Sequence, residues 1–490
     1  MLENQCASPQ SRWFFRNSMS PQAALLFFLL YILCLYAKDI NRRSGLSLGL
    51  WSVVFWVTII GSRPISAWLS FGVESATQLE TYDEGNPLER MVYFALIFYG
   101  LATLIRRKVS ISELIRTNRW LFFFCLYWAA SVMWADSPFL AFKRWIKDAG
   151  NIVMVLVVLT EKNPIEAIKA VFVRCACLLV PLSVLLILFY SELGRTYHIW
   201  TGELMFTGVT THKSSLGMLV LVCGLFLLWD ILDRLENRFR RRDWIGLVGD
   251  IALMAMTLWL LLKSNSATAL GCAIVGVVIF LSFGVQAVRK RAKQIEVSVI
   301  VTGISLWILN PVFDFARFVV VDIAGRDLTL TTRTEVWPML LAMQENMLLG
   351  TGFNSFWSSE RLATIYNKLG IIQAHNGYLE TYLNGGVLAI VLLVCLLVSA
   401  VKTINRELMR GSDYARIRLT FLIVTIIYNF TEAAFNKMGI IWFAFLLVIV
   451  QYRLGSEKAP RLSRREFELH RTEAGFARRT KETAPSIENP

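Results

Sequence analysis

Long uncharged apolar runs, separated by short clusters of charge, dominate the chain from about residue 22 to residue 453. A bilayer core about 30 Å thick needs ~20 apolar residues in a helix. The runs predict spans at 22–37, 46–62, 91–105, 120–135, 149–160, 169–190 and 214–232. Further spans are predicted at 244–263, 267–287, 295–312, 385–402, 418–435 and 438–453. The fold class is therefore an all-α polytopic membrane protein, with about 12–13 transmembrane helices. One long interruption, 311–384, separates the last three spans from the rest. The chain divides into a polar segment (1–21), a transmembrane region (22–310), the long loop (311–384), C-terminal transmembrane helices (385–453) and a basic tail (454–490).

Composition supports this. Only 18% of residues are charged and 55% are hydrophobic, against about a quarter charged in a soluble domain. The net charge of +14 would suggest nucleic acid in a soluble protein. Here the cations flank apolar runs, so no nucleic-acid partner is expected. Arg106-Arg107-Lys108 with Arg116 and Arg119, Arg238 with Arg240 to Arg242, Arg289 to Lys293, and Arg406 to Arg418 fall in alternate loops. By the positive-inside bias these face the cytoplasm. The opposite loops, 311–384 included, then lie outside the cytoplasm. The tail from Arg453 reads as a disordered cytoplasmic segment. The first run, Ala23 to Ala37, has no small-residue cleavage site after it and reads as an uncleaved anchor.

Several kinds of chemistry have no signature. All eight Cys but Cys6 lie in apolar runs, and none shows metal spacing. No phosphate-binding glycine loop or dinucleotide fingerprint occurs, so neither metal nor cofactor is expected.

The long loop has the features of a site. It carries Gly325-Arg326-Asp327, then Thr329, Thr331, Arg333 and Trp337-Pro338. Arginine binds diphosphate through a planar fork of donors; the alternative is that Arg326 and Arg333 are solvated charges. Val336, Leu340, Met343 and Met347 recur at helical spacing, which predicts an amphipathic helix to Leu349, lying on the membrane surface. Leu349-Gly350-Thr351-Gly352-Phe353 ends it with glycines that permit close backbone approach. Ala374-His375-Asn376-Gly377-Tyr378 then leads into Gly385-Gly386 and the next span. His375 thus sits at the start of a helix entering the bilayer, placed for proton transfer or, when charged, for binding an anion.

Other polar residues share that side. Lys143, Arg144 and Lys147, Arg63-Pro64, and Thr211-His212-Lys213 place cations in loops that should be poor in them. They suit an anionic ligand or lipid headgroups. Glu432 lies within or at the rim of a span, where an ionisable group is by default a functional hypothesis. Ser264, Ser266 and Thr268 read as turn and cap residues. His198 and His470 read as structural.

In this order, Thr332-Arg333-Thr334-Glu335-Val336-Trp337, Leu349-Gly350-Thr351-Gly352-Phe353, His375-Asn376-Gly377-Tyr378-Leu379 and Gly385-Gly386 resemble the O-antigen ligase/polymerase superfamily. The string from Gly325 to Arg333, Ser62-Arg63-Pro64 with Trp68, Glu84 to Pro87, and Thr211-His212-Lys213 resemble its exopolysaccharide-polymerising branch, as in succinoglycan production. The resemblance implies a metal-independent membrane glycosyltransferase whose donor is a glycan on polyprenyl diphosphate. By resemblance, Arg333 matches the family's loop arginine and His375 the histidine of its His-Asn motif. Arg326, Glu432 and Asp327 complete the catalytic candidates, the last two as reserve bases. Arg144, Lys213, His212, Arg63, Asn376, Trp337 and Tyr378 are candidates for holding diphosphate or glycan. Two positions depart from the pattern: Ser214 stands where many members have Asn, and Ala389 where a ligase motif would show Gly, Thr or Tyr. The second counts against a ligase joining glycan to lipid A core. A transporter or flippase of lipid-linked sugars is the alternative from another class, disfavoured by so long a loop. Chain-length and export proteins are the expected protein partners.

Overall fold

The computed structural model describes residues 19–69, 86–197, 202–237, 244–291, 333–357, 359–369 and 371–452. The expected span 295–312, Arg326, Asp327, His198 and His470 lie outside them. Helices of ten residues or more are α1 (Pro21–Arg42), α2 (Gly49–Ile60), α3 (Pro87–Arg106), α4 (Arg119–Ala130) and α5 (Pro138–Leu159). Next come α6 (Pro164–Phe189), α7 (Lys213–Asn237), α8 (Trp244–Lys263) and α9 (Ala267–Ser282). The last are α10 (Arg333–Ala342), α11 (Ser359–Leu369), α12 (Gly377–Met409), α13 (Asp413–Thr431) and α14 (Ile440–Ile449). A short antiparallel pair, β1 (Arg195–Tyr197) and β2 (Leu204–Phe206), interrupts the helical pattern.

Local chemistry sets many of the helix starts. Ser20 accepts from the Ala23 amide ahead of Pro21, and Asn86 accepts from Leu88 ahead of Pro87. Each pairs an N-cap acceptor with a proline whose missing N–H costs nothing in the first turn. Among the described residues, α1, α3, α6, α7, α8 and α12 are long and apolar enough to cross a membrane, with α2, α9 and α14 shorter and apolar. This bears out an all-α polytopic membrane protein.

The packing has an inside and a lipid-facing outside. Phe226 of α7 stacks between Phe172 of α6 at 3.8 Å and Phe421 of α13 at 4.4 Å. The peripheral α3 instead turns outward Phe98, 76% exposed, and Ile105, 75% exposed. In water such a surface would be an aggregation liability; against lipid tails it is not.

One end of the bundle is held by charge. Asp39, Arg43, Arg174, Asp230 and Arg234 are buried at the junction of α1, α6 and α7. Arg174 Nε lies 2.8 Å from Asp39, Arg234 lies 2.6 Å from Asp230, and Arg43 pairs with both Asp39 and Asp230. Asp250 of α8 joins through Lys38 at 2.7 Å and through Arg234. Arg416 and Arg418 differ from expectation: they lie buried inside α13 rather than in a basic loop. Arg418 is neutralised by Glu407 at 2.6 Å, and Arg416 sits over the Phe280 ring at 4.5 Å.

Two further expectations change. The span expected at 149–160 belongs to a helix that begins at Pro138, so Lys143, Arg144 and Lys147 ride on α5, not on a loop. Aromatic faces accommodate two of these cations: Lys143 lies 4.1 Å from the Phe139 ring and Lys147 4.2 Å from the Tyr93 ring. The helix expected to run to Leu349 stops at Ala342, and a second helix, α11, follows. Nor is its apolar face turned to a membrane surface. Val336 and Leu340 of α10 pack with Phe356, Trp357, Leu362, Ile365, Ala374 and Leu383 in a core of the loop's own. At the bilayer end of the loop, α12 begins at Gly377, two residues after His375, as expected of a histidine at the start of a helix entering the bilayer.

Candidate functional site

α12 is broken at Gly386, whose backbone (φ 60°, ψ −164°) is not helical. A break at membrane depth frees backbone groups that must find partners. They find them in the glycine turn. The amides of Val387 and Leu388 donate to Met347 and Leu348 at 2.9 and 3.2 Å. In return Thr351 and Gly352 donate to Leu383 and Asn384 at 3.2 and 2.8 Å, and the Tyr127 hydroxyl donates to Gly385 at 2.6 Å. Gly350 also has positive φ, and a Cβ there would stand 2.4 Å from the Asn384 carbonyl carbon. The two glycine motifs are thus halves of one joint, and it fixes the upper part of α12.

That upper part carries the histidine. Asn376 caps α12, its Oδ1 accepting from the Tyr378 and Leu379 amides, each at 3.0 Å. His375, one residue earlier, has a left-handed backbone (φ 49°), an uncommon state for a residue with a Cβ. The peptide around it is tied on several sides. Trp337 of α10 donates to Ala374 O at 3.0 Å, the Ala374 amide donates to Glu380 at 2.8 Å, and the Gly377 amide donates to Glu432 O at 3.1 Å. So constrained, the ring presents Nδ1 to Glu432 Oε2 at 3.2 Å, with Gln373 Nε2 at 3.4 Å. Glu432 caps the end of α13, its side chain 12% exposed against 30% for His375. Gly377 is required here, because a Cβ would meet Asn429 Oδ1 at 1.9 Å.

Glu380 is the hub beneath this turn. It is buried, and besides Ala374 it accepts from Trp357 Nε1 at 2.8 Å and faces Lys437 Nζ at 3.4 Å. Lys437 also donates to Gln373 at 3.1 Å. A cation and two carboxylates therefore converge near His375. Arg144 reaches the same region from α5, donating to Asn354 O at 2.5 Å, while Asn354 Nδ2 donates to Asn436 O at 3.2 Å. Arg361 of α11 pairs with Asp136, and burial pulls its guanidinium below its ordinary value.

The structure thus brings together His375, Glu432, Asn376, Trp337 and Tyr378, the last with its hydroxyl on Ile426 O at 3.0 Å. Arg333 begins α10, one turn ahead of Trp337. Arg63, His212 and Lys213 make their contacts elsewhere. Arg63 holds the carbonyls of Leu193 and Gly208, each at 2.7 Å, and burial lowers its pKa. His212 Nδ1 accepts from the Ser214 amide at 3.2 Å, and Lys213 pairs with Glu203 at 3.4 Å. Thr268 meets Thr431 at 2.7 Å, so the first turn of α9 lies next to the residue preceding Glu432. Glu380 and Lys437 were not singled out from sequence. The rule applied to Glu432, that an ionisable group at the edge of an apolar run needs a reason, would have found both. Among the described residues, no three His, Cys, Asp or Glu side chains gather as a metal-ligand set.

The fold and site define a polytopic membrane protein with ionisable groups gathered at helix ends, beside a structured loop. Residues 251–394 match the family described as O-Antigen ligase. That stretch takes in Arg333 and His375 and ends before Glu432 and Lys437. The chain is also 25% identical over 295 residues to the Exopolysaccharide production protein ExoQ of Rhizobium meliloti, across 57% of this chain and 64% of that protein. It therefore spans a little under two thirds of the curated relative it matches. The resemblance to the O-antigen ligase/polymerase superfamily, on its exopolysaccharide side, is supported by both.

Proposed function

We propose that this chain is an inner-membrane glycosyltransferase that polymerises polyprenyl-diphosphate-linked oligosaccharide repeat units into exopolysaccharide on the periplasmic side. The observation that carries the reading is the apposition of His375 and Glu432, 3.2 Å apart at two helix ends. The matches to O-Antigen ligase and to an exopolysaccharide production protein support the substrate class.

In this reading an acceptor sugar hydroxyl attacks the anomeric carbon of the donor. The bond from that carbon to the diphosphate oxygen breaks, and the lipid diphosphate leaves with the electron pair. Glu432 accepts a hydrogen bond from His375 Nδ1–H, which leaves the Nε2 lone pair to take the hydroxyl proton. The leaving group needs cations where its charge develops more than it needs a metal. Arg333 and Arg326 supply them, with Arg144 and Lys437 adding positive charge nearby. The donor lipid lies in the membrane beside the helices, and chain-length and export proteins act on the product.

Purified protein given only lipid-linked repeat units should yield a ladder of longer glycans, and His375→Ala should abolish it while the protein still inserts in membranes. A strict requirement for lipid A core would replace the reading with the ligase that the family match also supports. Translocation of the lipid-linked sugar without a new glycosidic bond would replace it with a flippase.

A further inference from the structure

We propose that Gln373 is a positioning residue for His375: it holds the ring tautomer in which Nε2 carries the proton and can donate to the lipid diphosphate, while Glu432 holds the tautomer in which Nε2 is free to act as a base. This rests on the glycan-transfer reading above, in which Gln373 has no part. Among the described residues, the hydrogen-bonding contacts of the ring are both made at Nδ1, with Glu432 Oε2 at 3.2 Å and Gln373 Nε2 at 3.4 Å. Nε2 is left to whatever enters the site, and the side chain is 30% exposed.

The orientation of the Gln373 amide decides what Nδ1 meets. A side-chain amide can turn either end to a neighbour, so its partners fix which end goes where. Here one partner is unambiguous. Lys437 Nζ lies 3.1 Å from Gln373 Oε1, and an ammonium has three donors and no acceptor. The amide oxygen must face the lysine, so the NH2 end faces the histidine. Lys437 is itself held by the buried Glu380 at 3.4 Å. Nδ1 therefore stands between a carboxylate that only accepts and an NH2 group that only donates. A neutral imidazole carries one proton and satisfies one of these neighbours at a time. With the proton on Nδ1, the ring donates to Glu432, and the Nε2 lone pair is the base of the mechanism above. With the proton on Nε2, Nδ1 accepts from Gln373, and Nε2–H suits a diphosphate oxygen. The reaction uses the two in turn, the first tautomer for taking the hydroxyl proton and the second for holding the lipid diphosphate. Exchange with water moves the proton between the nitrogens, and the ring gains and loses none.

The chain has four histidines, which makes the ring nitrogens directly readable. Full-length protein labelled with 15N at histidine alone is purified in detergent, and His375→Ala assigns the His375 resonances by their loss. Spectra are taken at pH ~8.5, above the ordinary histidine range, without ligand and with inorganic diphosphate as the probe. In the wild type, Nδ1 should lie between its protonated and unprotonated positions and move toward unprotonated when diphosphate is added. Gln373→Met keeps the chain length and removes the N–H, and should hold Nδ1 protonated with or without diphosphate. Lys437→Met frees the amide to turn its oxygen to Nδ1–H and should act in the same direction. With lipid-linked repeat units, Gln373→Met should raise KM about fivefold, the worth of one neutral hydrogen bond, with a much smaller change in kcat. Nδ1 positions equal in the wild type and both variants, both nitrogens protonated throughout, no movement of the wild type with diphosphate, or a Gln373→Met loss confined to kcat would each overturn the proposal. None of those results bears on glycan transfer, which His375→Ala decides. Full polymer synthesis by His375→Ala would remove that reading and leave the tautomer shifts standing as a property of the ring and its two neighbours.

Discussion

His375 and Glu432 lie 57 positions apart and meet at 3.2 Å, Nδ1 to Oε2. The contact closes through a second link, since the Gly377 amide donates to the backbone carbonyl of Glu432 at 3.1 Å. The histidine turn and the α13 terminus are therefore tied together at two points. Glu432→Gln keeps the shape but loses the charge that would stabilise an imidazolium. It should lower kcat about 10²-fold with little change in KM, as expected for a group acting on proton transfer. Steady-state rates with lipid-linked substrate check this; an unchanged kcat would remove Glu432 from the chemistry.

Gly386 should tolerate no side chain. A Cβ would stand 2.3 Å from the Leu348 carbonyl carbon, with φ already at +60°. Gly386→Ala should prevent accumulation of a monodisperse protein in detergent. Gly411→Ala is the control, because φ is +84° but nothing lies within 4 Å. It should cost only the backbone term, about 1–2 kcal/mol. Equal behaviour of the two variants in size-exclusion profiles would refute the joint described here.

Glu380→Leu should be worse than Glu380→Gln. The leucine leaves the buried Trp357 N–H and Ala374 amide without their acceptor, while Lys437 keeps only Gln373. Each buried orphan is worth ~1–3 kcal/mol, so a loss of about 3 kcal/mol or more in unfolding free energy is expected. Glutamine retains an acceptor oxygen and should lose less. Thermal unfolding of the two variants in detergent decides the order.

Asp230→Ala addresses the opposite, charged end of the bundle. Asp230 is fully buried against Arg42, Arg43 and Arg234. Removing it takes one buried carboxylate from three guanidinium groups, of which Arg43 keeps Asp39 and Arg234 keeps Asp250, so the cost should be at most the ~3–5 kcal/mol of a fully broken buried pair. The melting temperature should fall, while residual activity per folded molecule stays near wild type, since the pair contacts nothing at the His375 turn. Equal melting temperatures would mean that the network is solvated rather than buried.

Some of this was legible in the chain because it depends on local pattern. Apolar run length marks helices that can cross a bilayer, since every backbone polar group there must be satisfied within its own segment. The glycine turn at 349–353, the Gly385-Gly386 pair and the His-Asn start of α12 were each visible as motifs. What pattern could not say was that the two glycine segments bond to each other. That partnership is set by backbone hydrogen bonds between residues more than thirty positions apart.

The amphipathic helix to Leu349 and the loop around Arg144 were misjudged for related reasons. Spacing alone does not tell a face buried in a loop's own core, as for Val336 and Leu340, from one on a membrane. Cations stacked on Phe139 and Tyr93 can ride a helix that charge counting would end. The sequence by itself determined that the protein is a bundle of membrane helices with a histidine poised where one of them begins. Only tertiary structure decided what that histidine faces. Glu432 meets its ring, while Glu380 and Lys437 hold its turn through Ala374 and Gln373, from helix ends and turns whose proximity is set by how α12, α13 and α14 pack.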